Sequence, residues 1–272
     1  MATFRALFPV PKPIIGVIHL PALPGFPQSR GLDFAIEQAL ADLAALERGG
    51  ADGVLVENEY DRPHAVLSAP ETTACMTRIA REVVVAARHS VVGVEILLND
   101  PEASLAVARA SGARFIRTDY FVDPMERPEH GGAMRIDPEA VMACRERIGA
   151  SDVLVLADIQ VKYARMTIPR GLDESARLAG RHGAAAAIVS GDATGDPPKP
   201  ADLAEAKRGA AGLPILIGSG LDEGNAARLL AASDGAVVGT SLKRGDRIDS
   251  GRVAALVGIA RGVRADGCQA GE

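Results

Sequence analysis

Pro214-Ile-Leu-Ile-Gly-Ser-Gly220 and, past one short helical stretch, Gly235-Ala-Val-Val-Gly-Thr-Ser-Leu-Lys243 decide the reading of this chain. Each is an apolar strand-like run that ends in glycines and small hydroxyl residues, and each is followed by a helical pattern. A parallel β/α barrel builds an anion site in this way from its seventh and eighth strands. Glycine lets backbone N–H groups approach oxyanion oxygens closely, and a helix dipole favours negative charge there. The pair points to a small phosphorylated molecule as ligand.

Upstream of this pair the same alternation repeats. Strand-type runs are predicted at Ile14–His19, Gly53–Glu57, Val92–Leu97, Ala113–Thr118, Val153–Ile159 and Ala185–Ser190, with Ile215–Ile217 and Ala236–Val238 as the last two. Between them lie helical patterns at 33–48, 71–89, 171–181, 201–207, 222–231 and 251–263, and Asp100-Pro101 and Asp137-Pro138 start two more. Runs that are apolar throughout suit strands buried on both faces. The expected fold is therefore α/β, a closed (β/α)8 TIM barrel formed as one domain over residues 1–272. Gly49-Gly-Ala-Asp-Gly53, Ser111-Gly-Ala-Arg114 and His182-Gly-Ala-Ala185 each place a glycine where a helix ends ahead of the next strand.

Composition narrows the function. The chain has 272 residues, 47% of them hydrophobic, a formal charge of −5 and no Trp. That charge, with no aromatic-plus-basic strip, argues against nucleic acid as a partner. No run reaches the ~18 apolar residues of a membrane span, so no integral membrane segment is expected. The N-terminus lacks a signal-peptide pattern, which fits a cytoplasmic protein. Cys75, Cys144 and Cys268 are widely spaced and show no metal-ligand spacing, so free thiols are expected. Amphipathic outer helices could bury one face in a homo-oligomer.

In a barrel of this kind chemistry sits at the C-terminal ends of the strands. Those ends carry His19, Glu57 with Asn58, Glu95 with Asn99, Arg117 with Asp119, Asp158 with Gln160 and Lys162, and Ser190 with Asp192. Asp158 and Glu57 close apolar runs, and partial desolvation there raises a carboxylate toward a useful general base. Both are candidate catalytic residues, as is Glu95. Lys162 is a candidate for oxyanion stabilisation or a Schiff base, and His19 for a proton shuttle. Asn58, Ser190, Gly191, Gly218, Ser219, Gly220, Gly239, Thr240 and Ser241 are the candidate substrate and phosphate contacts. No cofactor is required by this set. The acids Glu57, Glu95, Asp119 and Asp158 could hold a divalent metal through oxygen ligands. The stretch 119–135 reads as irregular; prolines stiffen 21–27 over the barrel mouth, and the connections 120–135 and 164–170 are long enough to serve as lids.

Taken together, Gly16-Val-Ile-His-Leu-Pro-Ala-Leu-Pro-Gly25, Gly53-Val-Leu-Val-Glu-Asn58, Ala157-Asp-Ile-Gln-Val-Lys162, Ser190-Gly-Asp-Ala-Thr-Gly195, Gly218-Ser-Gly220 and Val238-Gly-Thr-Ser-Leu-Lys243 resemble the BtpA/SgcQ family. The resemblance implies a barrel related to the ribulose-phosphate-binding barrels. It also implies two kinds of role: photosystem I biogenesis in photosynthetic members, and nucleosidase-type or sugar-related activity elsewhere. The chain departs from the family's pattern at Tyr163, where His is common, and at Glu59-Tyr60-Asp61. An enzyme acting on a phosphorylated sugar or sugar-derived metabolite is the expectation. A non-catalytic assembly factor and a nucleosidase acting on an unphosphorylated nucleoside are the alternatives.

Overall fold

A computed structural model describes residues 3–193 and 195–263. Eight parallel strands close on themselves: β1 (Ile14–His19), β2 (Gly53–Glu57), β3 (Val91–Glu95), β4 (Phe115–Thr118), β5 (Leu154–Ile159), β6 (Ala186–Val189), β7 (Ile215–Ile217) and β8 (Ala236–Val238). β8 pairs with β1, with Ile14 opposite Ala236. Helices follow the strands in turn: α1 (Leu32–Arg48), α2 (Pro70–Ala86), α3 (Pro101–Ser111), α4 (Pro138–Arg147), α5 (Leu172–Arg181), α6 (Pro200–Gly209), α7 (Ala226–Ala232) and α8 (Ser250–Gly262). The expected (β/α)8 order is observed. Thr194 and Cys268 lie outside the described residues.

Local chemistry sets the element ends. Asp100 and Asp137 each accept a backbone N–H three residues on, with proline at the first helical position. β3 stops at Glu95, short of the Leu97 expected, because Ile96 donates its N–H to the Ser104 hydroxyl instead of a neighbouring strand (3.0 Å). α7 begins at Ala226, later than expected. The Asp222 carboxylate takes the N–H groups of Gly224 and Asn225 (2.9 and 3.0 Å) and holds those residues in a turn.

Strand side chains alternate, and the alternation divides the core in two. One set, including Ile14, Ile18, Val54, Val56 and Ile116, packs outward against the helices. The other set fills the barrel: Ile15, Val17, Leu55, Phe115, Leu154, Leu156, Ile188, Leu216 and Val237. Phe4 and Phe8 belong to this inner cluster. They come from a helical turn, Phe4–Leu7, that stoppers the N-terminal end of the barrel, with the Phe8 and Phe115 rings 5.9 Å apart. Gly53 makes room, since a Cβ there would stand 2.8 Å from the Phe8 ring.

Over the opposite end, the β4 and β5 connections are not irregular. Met125–Arg127, Gly132–Ala133 and Arg165–Met166 form a small three-stranded antiparallel sheet. Leu98, Tyr120, Met125, Met134 and Val161 pack beneath it as a separate apolar cluster.

Candidate active site at the barrel mouth

The inward parity of each strand, carried to its C-terminal end, selects one residue per strand: His19, Glu57, Glu95, Arg117, Asp158, Ser190, Gly218 and Gly239. Register bears this out where strands pair, with His19 opposite Glu57 and Glu57 opposite Glu95. Two of the eight positions are glycine, and there neighbouring side chains take the space that a Cβ would need. A Cβ on Gly218 would stand 2.6 Å from the Ser190 hydroxyl, and one on Gly239 would stand 2.7 Å from the His19 ring.

Arg117 is the hub of this layer. Its Nε and Nη2 donate to the two oxygens of Asp158 (2.8 and 3.0 Å), and its Nη1 donates to Glu57 Oε1 (3.3 Å). Glu95 Oε2 lies 3.7 Å from the same Nη1 and is buried without a hydrogen-bond partner among the described residues. The cation among these carboxylates is thus a guanidinium held in fork geometry. That is the position in which the acidic cluster would have placed a divalent ion.

Burial pushes the Glu95 carboxyl well above the carboxylate range, against the pull of Arg117 and with the push of Asp119 and Glu57. Burial raises Asp119 to about 6, helped by the charge of Asp158. For Glu57 burial acts upward too, but Arg117 and His19 outweigh it and hold the group low. Burial holds His19 below its ordinary value. Within the layer the surroundings thus favour the protonated form of Glu95 and the charged form of Glu57.

Above the layer the mouth is two-lobed. The first lobe, about 520 Å³, is walled by 218–222 and 237–241 together with His19, Glu57, Arg117, Lys162 and Lys243. The second, about 500 Å³, is walled by Glu95, Asp119, Leu97, Leu98, Arg127 and Tyr163. Glu57, Glu59, Arg117 and Lys162 border both. Gln160 and Tyr163 adopt left-handed backbone (φ 49° and 62°), and between these two turns the chain brings Lys162 to the boundary.

The amides of Ser219, Gly220, Gly239, Thr240 and Ser241 have no acceptor among the described residues, whereas Gly218 donates to Val189 (2.9 Å). The hydroxyls in this region hold the scaffold. Ser219 Oγ donates to the Asp196 carbonyl (2.7 Å) and accepts from the Gly191 N–H (2.9 Å), and Ser241 Oγ donates to the Leu221 carbonyl (2.5 Å).

The structure thus brings His19, Glu57, Lys162, Gly218, Ser219, Gly220, Gly239, Thr240 and Ser241 to one lobe and Glu95 to the other. Asp158, Ser190, Gly191 and Asn58 line neither. Asp158 sits behind Arg117, with Ser190 Oγ 3.4 Å from it. Asn58, on the outward parity, donates to Asp61 (3.0 Å) and accepts from the Leu97 N–H (2.8 Å). Lys243 and Asp119 also line the lobes; Lys243 ends the last glycine-rich motif but was given no role there, whereas Asp119 was expected at the strand mouth as a possible metal ligand, and inward parity extended one step beyond Arg117 reaches it.

Comparison with known proteins supplies the context. The chain matches the BtpA family over residues 10–262. It belongs to the BtpA family. It is 37% identical over 254 residues to an uncharacterized protein of Archaeoglobus fulgidus, covering 92% of this chain and 99% of that one. It is 36% identical over 260 residues to the photosystem I biogenesis protein BtpA of Synechocystis, covering 92% and 88%. It is 31% identical over 248 residues to the sgc region protein SgcQ of Escherichia coli, covering 90% and 91%. In backbone it is similar to two Pyrococcus furiosus enzymes. One is N-(5'-phosphoribosyl)anthranilate isomerase, with a TM-score of 0.57 and 15% identity over 93% of this chain and 100% of that one. The other is thiamine phosphate pyrophosphorylase, with 0.59 and 16% over 92% and 96%. At those identities the likeness is one of fold. Of the positions expected to depart from the family's pattern, Glu59, Tyr60 and Tyr163 line the lobes, and Asp61 lines neither.

Proposed function

We propose that this chain is an enzyme acting on a phosphorylated sugar or sugar-derived metabolite. One observation carries the reading. Five amides without an acceptor among the described residues, at Ser219–Gly220 and Gly239–Ser241, sit on adjacent strand ends and wall a lobe that also receives Lys162, Lys243 and Arg117. Backbone donors with cations around them suit a phosphate oxyanion, and main-chain amides hold it without consuming a side chain.

The remaining chemistry would come from the boundary and the second lobe. Glu95, whose burial favours its protonated form, would donate a proton, and Asp119, raised to about 6, would accept one. Lys162, between the lobes, would stabilise an oxyanion or enediolate. Glu57 and Asp158 would keep Arg117 charged and in place. This division of labour fits isomerisation or lyase-type cleavage. A non-catalytic assembly role is the second reading, favoured by the 36% identity to a photosystem I biogenesis protein.

The test is thermal unfolding with paired ligands. Ribose 5-phosphate is expected to raise Tm and ribose is not, because a ligand that binds only the folded state stabilises by mass action. A hundredfold excess over Kd supplies about 2.7 kcal/mol, worth about 2–4 °C per kcal/mol in a domain of this size. Gly239→Val, whose side chain would collide with the His19 ring, is expected to abolish the shift while circular dichroism shows the barrel intact. Equal stabilisation by ribose and its phosphate would remove the phosphate assignment.

A further inference from the structure

Lys243 lies on the wall of the first lobe, half-buried, just beyond the free amides of Gly239–Ser241. Its Nζ is 2.7 Å from Nδ1 of His19, whose Nε2 is 3.6 Å from Glu57 Oε2. A ring nitrogen that faces an N–H donor must be the acceptor, so the His19 proton belongs on Nε2, toward the carboxylate. The carboxylates that act on Lys243 include Asp42, Glu59, Glu57 and Asp246. The first three already have cations of their own: Arg247 for Asp42, Arg62 for Glu59 and Arg117 for Glu57. Burial holds Lys243 below the lysine range and His19 below the histidine range. A half-buried lysine whose short polar neighbour is a neutral imidazole lone pair is arranged to lose a proton rather than to neutralise a charge. Lys162 has no such base at hydrogen-bond distance among the described residues.

We propose that Lys243 is an amine nucleophile that forms a protonated Schiff base with the carbonyl carbon of a phosphorylated ketose or aldose, with His19 as its proton acceptor. This rests on the phosphate reading above and specifies the substrate class. The lysine ammonium gives one proton to His19 Nδ1. The free amine pair then forms the N–C bond as the carbonyl π pair moves to oxygen. His19 returns its proton to that oxygen, the second proton leaving nitrogen follows, and the oxygen departs as water. The product is a cationic iminium; three N–H protons have become one N–H and two O–H, with no outside oxidant or co-reactant. The iminium is an electron sink for breaking a bond farther along the carbon chain. That chain would extend past Lys162 into the second lobe, where Glu95 and Asp119 exchange protons.

The experiment is borohydride trapping of the full-length protein with dihydroxyacetone phosphate and, separately, ribose 5-phosphate, followed by peptide mass mapping. Hydride reduction fixes the imine as a stable secondary amine. The expected result is one adduct on Lys243, suppressed by inorganic phosphate and lost in Lys243→Met. An adduct on Lys162, or no adduct with either sugar phosphate, overturns the proposal. The thermal shift measured in parallel separates the failures. A shift without an adduct leaves the phosphate site standing and sinks only the Schiff base. As a readout independent of substrate, Lys243 is labelled by 13C reductive methylation and its NMR resonance titrated. Titration in the ordinary lysine range also counts against it.

Discussion

Arg117 and its four acidic neighbours set the protonation pattern of the whole mouth. Asp119 gives the most direct measurement of it. In the folded chain its carboxyl holds a proton up to about pH 6, whereas an unperturbed aspartate releases it at 3.8. Between those values the folded state binds more protons than the unfolded state, so stability falls as pH rises through that window. Above it the buried carboxylate is charged and costly. Asp119→Asn is therefore expected to increase unfolding free energy by about 1–3 kcal/mol at neutral pH. That gain should fade as pH drops toward 4, which urea titrations across the range would show. If Asp119 is also the base, the acidic limb of the rate profile near 6 disappears in the same variant. Much of this site was legible one residue at a time. His19, Glu57, Glu95 and Lys162 were read directly from strand ends, and period-two parity separates inward Glu57 from outward Asn58. Parity could not show that Asp158 is masked by Arg117, because that pairing joins neighbouring strands 41 residues apart in sequence.

Elements with several turns or a full apolar run announced themselves; those built from two or three residues did not. All eight barrel strands were visible as apolar runs. By contrast, residues 119–135 read as an irregular connection, because ladders of two or three residues leave no period to detect. The sheet they form is held by its own apolar cluster rather than by the barrel core. The Met134 N–H donates to the Met125 carbonyl (2.9 Å), and Met125 pairs with Met166. Truncating Met125 to Ala should cost about 2–5 kcal/mol in the stability of that unit. Limited proteolysis is expected to cut within 125–135 sooner in the variant, while unfolding of the barrel followed by circular dichroism moves little. Simultaneous loss of the barrel signal would mean that the sheet and the barrel are one cooperative unit.

Taken whole, the molecule is closed by contacts between its two ends. β1 meets β8, and the Ala236 N–H donates to the Pro13 carbonyl (3.0 Å). Closure was inferred from the count of β/α units, but the stopper was not. A short Phe-Arg-Ala-Leu turn reads as a loose terminus, and its function depends on a vacancy at Gly53 that no local pattern reveals. Phe8→Ala should remove about 3–5 kcal/mol of global stability, measurable as a lower urea midpoint at unchanged slope. A loss below about 1 kcal/mol would show that the site collapses around the missing ring.

The filled barrel interior, with Phe4 and Phe8 at its N-terminal end, also governs traffic. With one end of the cylinder sealed, a molecule that reaches the row of polar side chains must leave by the doorway it used to enter. Under the proposed function, the fragment that lies deepest would exit last, and its accumulation would compete head-on with the next arrival instead of draining through a back door.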